Sequence, residues 1–425
     1  MTETGFNAEV LPMEVAVAPG TDTPRILFVN QASVLGGAEL SLLDIARLLP
    51  FHNRVALFRG GVLFERLTQA GVAVDILDPT GDGLSRVRKN SGLWNVLGSL
   101  ALLVRITWRL QLLAGNADIT YANSQKAMVV GALASALARR PLIWHMRDIL
   151  SADHFSPTMR RVAVMMANAR AATVIANSHA TAEAFVAAGG RRKLVRVIHN
   201  GIDSKPFDAI TTQMATLART ELMPLDNGFL IGVFGRLTPW KGQHLVLEAI
   251  STLPGVSAVF IGDALFGEME YKHTLHKRVE CEDLRGRVRF LGFRDDVPRL
   301  MRAVDAIVHS SVNPEPFGRV IIEGMLARRP VVASAAGGVL EIIEDGETGL
   351  IYPPGDCAAL RAQIERLQND PALCERLGAA GYNKAQACFS RTAMIYSIRQ
   401  VVMDTYLRKQ HRTDPKINNK DAAEN

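Results

Sequence analysis

Apolar residues in this chain gather in short continuous runs rather than alternating one by one. The first group is Arg25–Asn30, Arg54–Phe58, Ala73–Leu77, Asp118–Ala122, Leu142–His145, Thr173–Ala176 and Val195–Ile198. The second is Phe229–Phe234, Ser257–Ile261, Arg287–Leu291, Ala306–Val308, Val331–Ala333 and Leu350–Tyr352. Stretches of helical period separate most of them, among them Ala38–Leu49, Lys241–Thr252, Met269–Glu280, Ala358–Gln368, Pro371–Ala387 and Thr392–Leu407. Short apolar strands alternating with amphipathic helices predict parallel sheets covered on both faces, an α/β doubly wound class. Residues 200–227 break the rhythm with a turn (Asn200-Gly201-Ile202-Asp203) and a mixed polar stretch, so two such domains are expected. Open sheets of this class bind ligands beyond the carboxyl ends of their strands.

Composition narrows this picture. A chain of 425 residues has room for two full cores, and its 48% apolar content is that of a globular protein. A net charge of +6 fits anionic ligands or an anionic surface without requiring either. The cysteines Cys281, Cys357, Cys374 and Cys388 show no CxxC spacing, which points to a reducing, cytoplasmic setting without a zinc site. Met1–Pro24 has no basic start and no proper apolar core; it reads as a loose tail, not a signal peptide. Leu93–Leu113 is apolar enough to raise a membrane span. Arg105, Arg109 and Gln111 interrupt it, so an amphipathic helix covering a sheet is the expectation.

The chemistry-bearing segments sit where strands end. Asn313-Pro-Glu-Pro-Phe-Gly-Arg-Val-Ile-Ile-Glu323 puts Glu315 and Glu323 seven residues apart around Gly318, at a predicted helix start. Free backbone N–H groups and the positive dipole end there suit a phosphate, and two flanking carboxylates can accept from sugar and ribose hydroxyls. Gly235-Arg-Leu-Thr-Pro-Trp-Lys-Gly242 follows the first strand of the second half and opens a helix. Arg236 and Lys241 beside a helix N-terminus are unfavourable to its dipole unless an anion intervenes, and a diphosphate would satisfy all three; a solvated basic loop is the alternative. Gly36-Gly37 lets the backbone approach a ligand closely or simply turns a strand into a helix. His145 closes a strand as a ligand contact or as a structural histidine. Asn177-Ser178 and Asn200-Gly201 close strands as caps or turns, and Asp295-Asp296 before Pro298 reads as a turn and helix cap rather than a metal pair.

Taken in order, Gly36-Gly37, His145, Asn200-Gly201, Arg236…Lys241-Gly242, Glu315…Glu323 and Gly337-Gly338 resemble the family 4 glycosyltransferases of the GT-B fold, from Arg25 to about Leu407. The resemblance implies two Rossmann-like domains facing a cleft. Residues 1–24 are then a tail, 25–200 an acceptor domain, 201–227 a linker and 228–390 a nucleotide-sugar domain. A helix over 391–407 crosses back to the first domain, and 408–425 is a disordered tail. It further implies that Arg236 and Lys241 clamp a donor diphosphate, that Glu323 bonds the ribose, and that Glu315 bonds the donor sugar. Backbone groups around Phe317, Gly318, Arg319 and Val320 hold phosphate or hydroxyls. Gly36 and Gly37 make room for the diphosphate, and His145 stands beside sugar and acceptor. Gly262 lines the donor pocket, and Gly292, Phe293 and Arg294 border the base. The implied chemistry is retaining transfer from a UDP- or GDP-linked sugar as co-substrate, with no cofactor and no metal, Arg236 and Lys241 supplying the charge. Relatives often follow this His directly with Asp; here Met146 and Arg147 intervene before Asp148, so the carry-over stops at His145.

The expected acceptor is a saccharide or lipid-linked saccharide of surface polysaccharide synthesis, not a nucleic acid. Gly83–Ala117 carries Arg86, Arg88, Lys89, Arg105 and Arg109, with Trp94 and Trp108 interleaved and no acid. Such a surface suits anionic lipid headgroups, hence an expected peripheral contact with the inner face of a membrane; an ordinary covering helix is the alternative. Rival functions are a GT-B-like epimerase or hydrolase of nucleotide-sugars, or a non-catalytic scaffold. A scaffold would not need Arg236, Lys241, Glu315 and Glu323.

Overall fold

The computed structural model describes residues 23–31, 34–78, 93–151, 155–223, 228–265 and 267–413, with only the backbone at 93–100 and 412–413. These residues form two compact units. The first runs to Ala176 and takes in Ala184–Ile198 and the chain from Ile395; the second holds Asn177–Glu183 and His199–Met394.

In the first unit the strands are β1 (Arg25–Asn30), β2 (His52–Leu57), β3 (Ala73–Ile76), β4 (Ile119–Ala122), β5 (Leu142–Met146), β6 (Ala171–Ala176) and β7 (Val195–Val197). They form one parallel sheet in the order β3-β2-β1-β4-β5-β6-β7. In the second, β8 (Phe229–Phe234), β9 (Val256–Ile261), β10 (Val288–Phe290), β11 (Ala306–His309), β12 (Val331–Ser334) and β13 (Leu350–Tyr352) are ordered β10-β9-β8-β11-β12-β13, again all parallel. Each apolar run of the sequence is one of these strands. β4 and β5 are buried at every position, as both-face coverage requires. Each large aliphatic side chain so removed from water contributes roughly 1.5–3 kcal/mol.

In both sheets the chain reverses its winding beside the first strand, between β1 and β4 and between β8 and β11. The carboxyl ends at those two points are where the fold opens to a ligand.

Several expectations need correction. Helix Thr212–Leu222, inside the supposed linker, buries Ala218 and Leu222 in the core of the second unit. Its polar outer face hid that burial from a reading by composition. The closing helix is Arg391–Thr413, longer than 391–407 and running into the presumed tail, and its residues from Ile395 group with the first unit. Helix Leu93–Gly115 forms as predicted, and no helix among the described residues is long and apolar enough to cross a membrane. Both arginines have partners within the first unit: Arg105, though exposed, stands 3.6 Å from the Asp78 carboxylate, and the half-buried Arg109 donates to the Leu77 carbonyl at 2.9 Å. The helix also exposes an apolar stripe, Val104, Trp108 and Leu112, four residues apart. The expectations at Arg86, Arg88 and Lys89 lie outside the described residues, and so does the side chain of Trp94.

Candidate active site

At the β8/β11 switch point the sequence places two polar segments against each other. The loop after β8 ends in a single 3-10 turn, Pro239–Lys241. Gly242 follows in the left-handed region (φ 65°), and helix Gln243–Ser251 starts only after it. Lys241 therefore precedes the helix rather than opening it. A side chain at Gly242 would be strained by its backbone and would put Cβ 2.1 Å from the Ser310 carbonyl oxygen, so glycine is what lets this loop close on β11. Ser310 Oγ donates to the Lys241 carbonyl at 2.8 Å, and the Val312 N–H to that of Trp240, also at 2.8 Å.

The Lys241 ammonium is satisfied by Glu315, not by a helix end. Its Nζ is 2.5 Å from Glu315 Oε2 and 4.3 Å from the centre of the Trp240 ring. His309 Nε2 (3.1 Å) and Ser311 Oγ (3.0 Å) reach the same oxygen. Burial alone would raise the Glu315 carboxyl, but the Lys241 ammonium and the His309 hydrogen bond outweigh it and hold it well below the usual carboxylate range. Burial lowers His309 despite Glu315, so its imidazole is neutral and donates through Nε2. Glu315 is thus a fixed carboxylate with one oxygen fully committed. Its Oε1 accepts no hydrogen bond among the described residues and is available to a hydroxyl. His309 and Ser311 were not foreseen; the signal was there, since His-Ser-Ser closes an otherwise apolar strand.

Glycines also shape the segment after Glu315. Gly337 (φ 68°) would place a Cβ 2.2 Å from the Glu315 carbonyl oxygen, and Gly338 would place one 2.8 Å from Phe317 Cα. Their removal of side chains lets the Gly338 N–H donate to the Glu315 carbonyl at 2.8 Å. Gly318, left-handed at φ 107°, caps helix Arg319–Leu326, and Phe317 is buried against His199 and Phe389. The first intrahelical donor is Ile321 N–H to the Gly318 carbonyl, leaving the N–H groups of Arg319 and Val320 at the helix mouth. Glu323 forms an ion pair one turn on with Arg319, at 3.1 Å.

At the ends of β9 and β10 the backbone closes in the same way. Gly262 N–H donates to the Gly292 carbonyl at 2.8 Å, and a Cβ on Gly262 would lie 2.0 Å from the Gly235 carbonyl oxygen. Phe293 is exposed there. Arg294 forms a two-pronged bond with Asp296, both contacts 2.8 Å. With Arg299 adding to it, the Asp296 carboxyl is held down to about 2, chiefly by the bond from Arg294. Asp296 occupies the cap position before Pro298 yet spends its side chain on these arginines. Arg236 Nε lies 3.5 Å from Glu268. Asp263 pairs with Lys272 at 2.7 Å.

In the first unit Gly36 caps helix Gly37–Leu48 and donates its N–H to Glu39 Oε2 at 3.2 Å. Glu39 begins a buried polar chain. Asn30 at the end of β1 donates to its Oε1 (3.3 Å), Asn123 after β4 donates to Asn30 (3.2 Å), and Arg147 after β5 donates to Asn123 (2.9 Å). Burial raises the Glu39 carboxyl despite these partners. Glu39, Asn30 and Asn123 were not singled out, although Glu39 follows the paired glycines and each asparagine is an amide closing an apolar strand at the switch point. His145 lies within β5, which runs on to Met146, and is completely buried rather than open on the rim. Its Nδ1 is 2.5 Å from the Tyr121 hydroxyl.

Of the pairs Asn177-Ser178 and Asn200-Gly201, Ser178 and Gly201 have structural roles. Ser178 Oγ accepts from the Thr181 N–H (3.0 Å) at the start of helix His179–Ala187 and donates to the Pro316 carbonyl (2.6 Å). Gly201 faces Ser390, whose carbonyl oxygen a Cβ would meet at 2.3 Å. His179, His199 and Glu341 bring three ligand-type side chains together, but Glu341 accepts from the N–H groups of His179 and Ala180 (2.8 and 2.9 Å) and bonds His199 Nε2 at 2.9 Å. That trio is accounted for as a carboxylate cap on a helix.

Residues 218–384 match the glycosyl transferases group 1, and residues 62–205 match glycosyltransferase family 4. Alr3699/HepE of Anabaena, solved in complex with UDP-glucose, is 40% identical; 90% of this chain aligns with the whole of that one, at a TM-score of 0.82. The lipopolysaccharide core biosynthesis glycosyltransferase LpsE of Rhizobium meliloti (strain 1021) is 32% identical over 229 residues, 54% of this chain and 63% of LpsE. The D-inositol 3-phosphate glycosyltransferase of Streptomyces bingchenggensis (strain BCW-1) is 28% identical over 314 residues, 67% of each chain. The chain thus spans about half to two thirds of the length of the curated relatives it matches. With two Rossmann-like parallel sheets of the GT-B kind, this chain belongs to the group 1, family 4 glycosyltransferases.

Proposed function

We propose that the protein is a retaining glycosyltransferase that moves a hexose from a nucleotide-diphosphate donor to a saccharide or lipid-linked saccharide acceptor. The observation that carries this is the Lys241–Glu315 pair beside the open helix start at Arg319, in a chain similar to a UDP-glucose-binding protein. Arg236 and Lys241 hold the diphosphate, and the N–H groups from Phe317 to Val320 share its charge or bond the sugar. Glu323 takes the ribose hydroxyls, and Gly262 with Gly292–Arg294 borders the base. Glu315 offers Oε1 to a sugar hydroxyl. In the first unit the proposed ligand contacts are His145 and the Gly36–Gly37 turn.

Transfer breaks the bond from the anomeric carbon to the diphosphate, whose oxygen keeps the electron pair. The acceptor oxygen forms its bond on the same face and passes its proton to a donor phosphate oxygen. Charge grows on the leaving diphosphate, where a fixed cation is worth most. Glu315 serves as acceptor and anchor for Lys241 rather than as the nucleophile, its Oε2 being committed to three donors. Arg236 and Lys241 supply the charge a metal would otherwise bring, so transfer should run at full rate in EDTA; a rate restored only by added Mg²⁺ or Mn²⁺ contradicts this. UDP release from UDP-glucose, measured with and without a saccharide acceptor, tests the function. Release stimulated by acceptor supports it, and equal release without acceptor points to a hydrolase.

The proposed partner surface is an anionic membrane, met by the exposed Val104, Trp108 and Leu112 stripe with the exposed Arg105 on the same helix. Such a contact would bring the site beside a lipid-linked acceptor.

A further inference from the structure

Tyr121 and His145 face the same side of the first sheet. Tyr121 on β4 pairs in register with Ile143 on β5, so His145 is its diagonal neighbour two residues on. Phe28 on β1 backs Tyr121 with ring centres 4.9 Å apart, and the Tyr121 and His145 rings meet edge to face at 5.8 Å. Both side chains are fully buried. The Tyr121 hydroxyl has a single hydrogen-bond partner among the described residues, His145 Nδ1 at 2.5 Å. His145 Nε2 is buried and has none among the described residues.

Burial raises the Tyr121 phenol far above its usual value, so it keeps its proton. Burial, with the Arg147 cation adding, pushes His145 well below its usual value, so the imidazole is neutral. A protonated phenol with no other acceptor must donate to Nδ1. A neutral imidazole that accepts at Nδ1 carries its proton on Nε2. The opposite tautomer would leave two buried groups unpaired, the phenol proton and the Nε2 lone pair, against the Nε2–H alone in this one, and each such group is costly.

We propose that Tyr121 is a positioning residue that fixes His145 as the Nε2–H tautomer, a hydrogen-bond donor and not a base. This rests on the proposed transferase function for its consequence, though not for the tautomer itself.

The test uses the full chain labelled with ¹⁵N-histidine. A long-range ¹H–¹⁵N correlation spectrum reads the tautomer, with His145→Gln identifying the signal. Steady-state transfer from UDP-glucose is measured for wild type and Tyr121→Phe. The expected result is Nε2–H in the wild type, a shifted or mixed tautomer in Tyr121→Phe, and kcat lower by about tenfold with KM little changed, the scale of one hydrogen bond. A merely structural tyrosine would lower the melting temperature and leave the wild-type tautomer unspecified. An Nδ1–H signal in the wild type overturns the proposal, even if the variant fails to fold. So does an unchanged kcat and spectrum in a folded Tyr121→Phe. A wild type that shows Nε2–H but neither binds nor turns over any nucleotide-sugar refutes the transferase reading while the tautomer stands.

Discussion

Glu315 carries three donors on one oxygen and is the residue on which the site's electrostatics turn. Lys241→Ala removes a cation from the proposed diphosphate position and leaves a buried carboxylate half-compensated. Donor affinity should fall at least tenfold, whereas Glu315→Ala should lower turnover more than affinity; fluorescence titration and steady-state rates separate the two. The pH dependence has a definite sign. The folded carboxyl of Glu315 lies below its unfolded value of about 4.3. Its stabilisation is therefore fully present above that value and lost as pH falls below it toward the folded value. The stability gap between wild type and Glu315→Gln, from urea unfolding, should be widest at pH 7, begin to shrink by about pH 3.5 and go on shrinking at lower pH. A gap that widens on acidification contradicts the account. The two glutamates, Lys241 and His145 were legible in the sequence because each is a polar residue inside an apolar run or in the short loop that follows one. Their partners were not. Lys241 and Glu315 are far apart in the chain, and His309, Ser311, Tyr121, Asn30 and Asn123 matter through tertiary contacts that periodicity does not encode.

Elements here are held close by glycines at strand ends. Gly337→Ala and Gly242→Ala each combine left-handed backbone with a Cβ about 2 Å from a carbonyl oxygen, 2.2 and 2.1 Å respectively. Each should cost more than about 2 kcal/mol and disturb Glu315 or Lys241. Gly346→Ala, at φ 74° with nothing near its Cβ, isolates the backbone cost at roughly 1–2 kcal/mol. Equal urea midpoints for all three would sink the close-approach argument. Strands were readable nearly to their ends because continuous apolar runs leave few alternatives. Helix starts were less so: Gly242 and Gly318, both left-handed, decide where the helices begin after β8 and β11, and only the second start was anticipated. Among helix faces, the stripe of Trp108, 58% exposed, should bind anionic vesicles. Trp108→Glu should reduce co-sedimentation with such vesicles several-fold and leave soluble-donor turnover unchanged; undiminished sedimentation removes the membrane partner.

For the whole molecule, a sequence pI near 9.2 and a net charge of +6 set a mild attraction to anions that the folded chain focuses at particular places. Each unit repeats one plan, a parallel sheet whose winding reverses beside its first strand, and each carries its polar cluster at that reversal. This repetition was visible as two series of apolar runs. The assignment of Thr212–Leu222 to the second core was not, because a polar-faced helix looks like a linker until its buried residues are seen. The central claim is that the group built on Lys241 and Glu315 holds a nucleotide-sugar. Calorimetric titration of UDP-glucose into the full chain, its Lys241→Ala variant and its Tyr396→Ala variant, far from the site in sequence, tests it most directly. The account predicts saturable binding to the wild type and to Tyr396→Ala, weakened at least tenfold in Lys241→Ala; equal affinity in all three would contradict it.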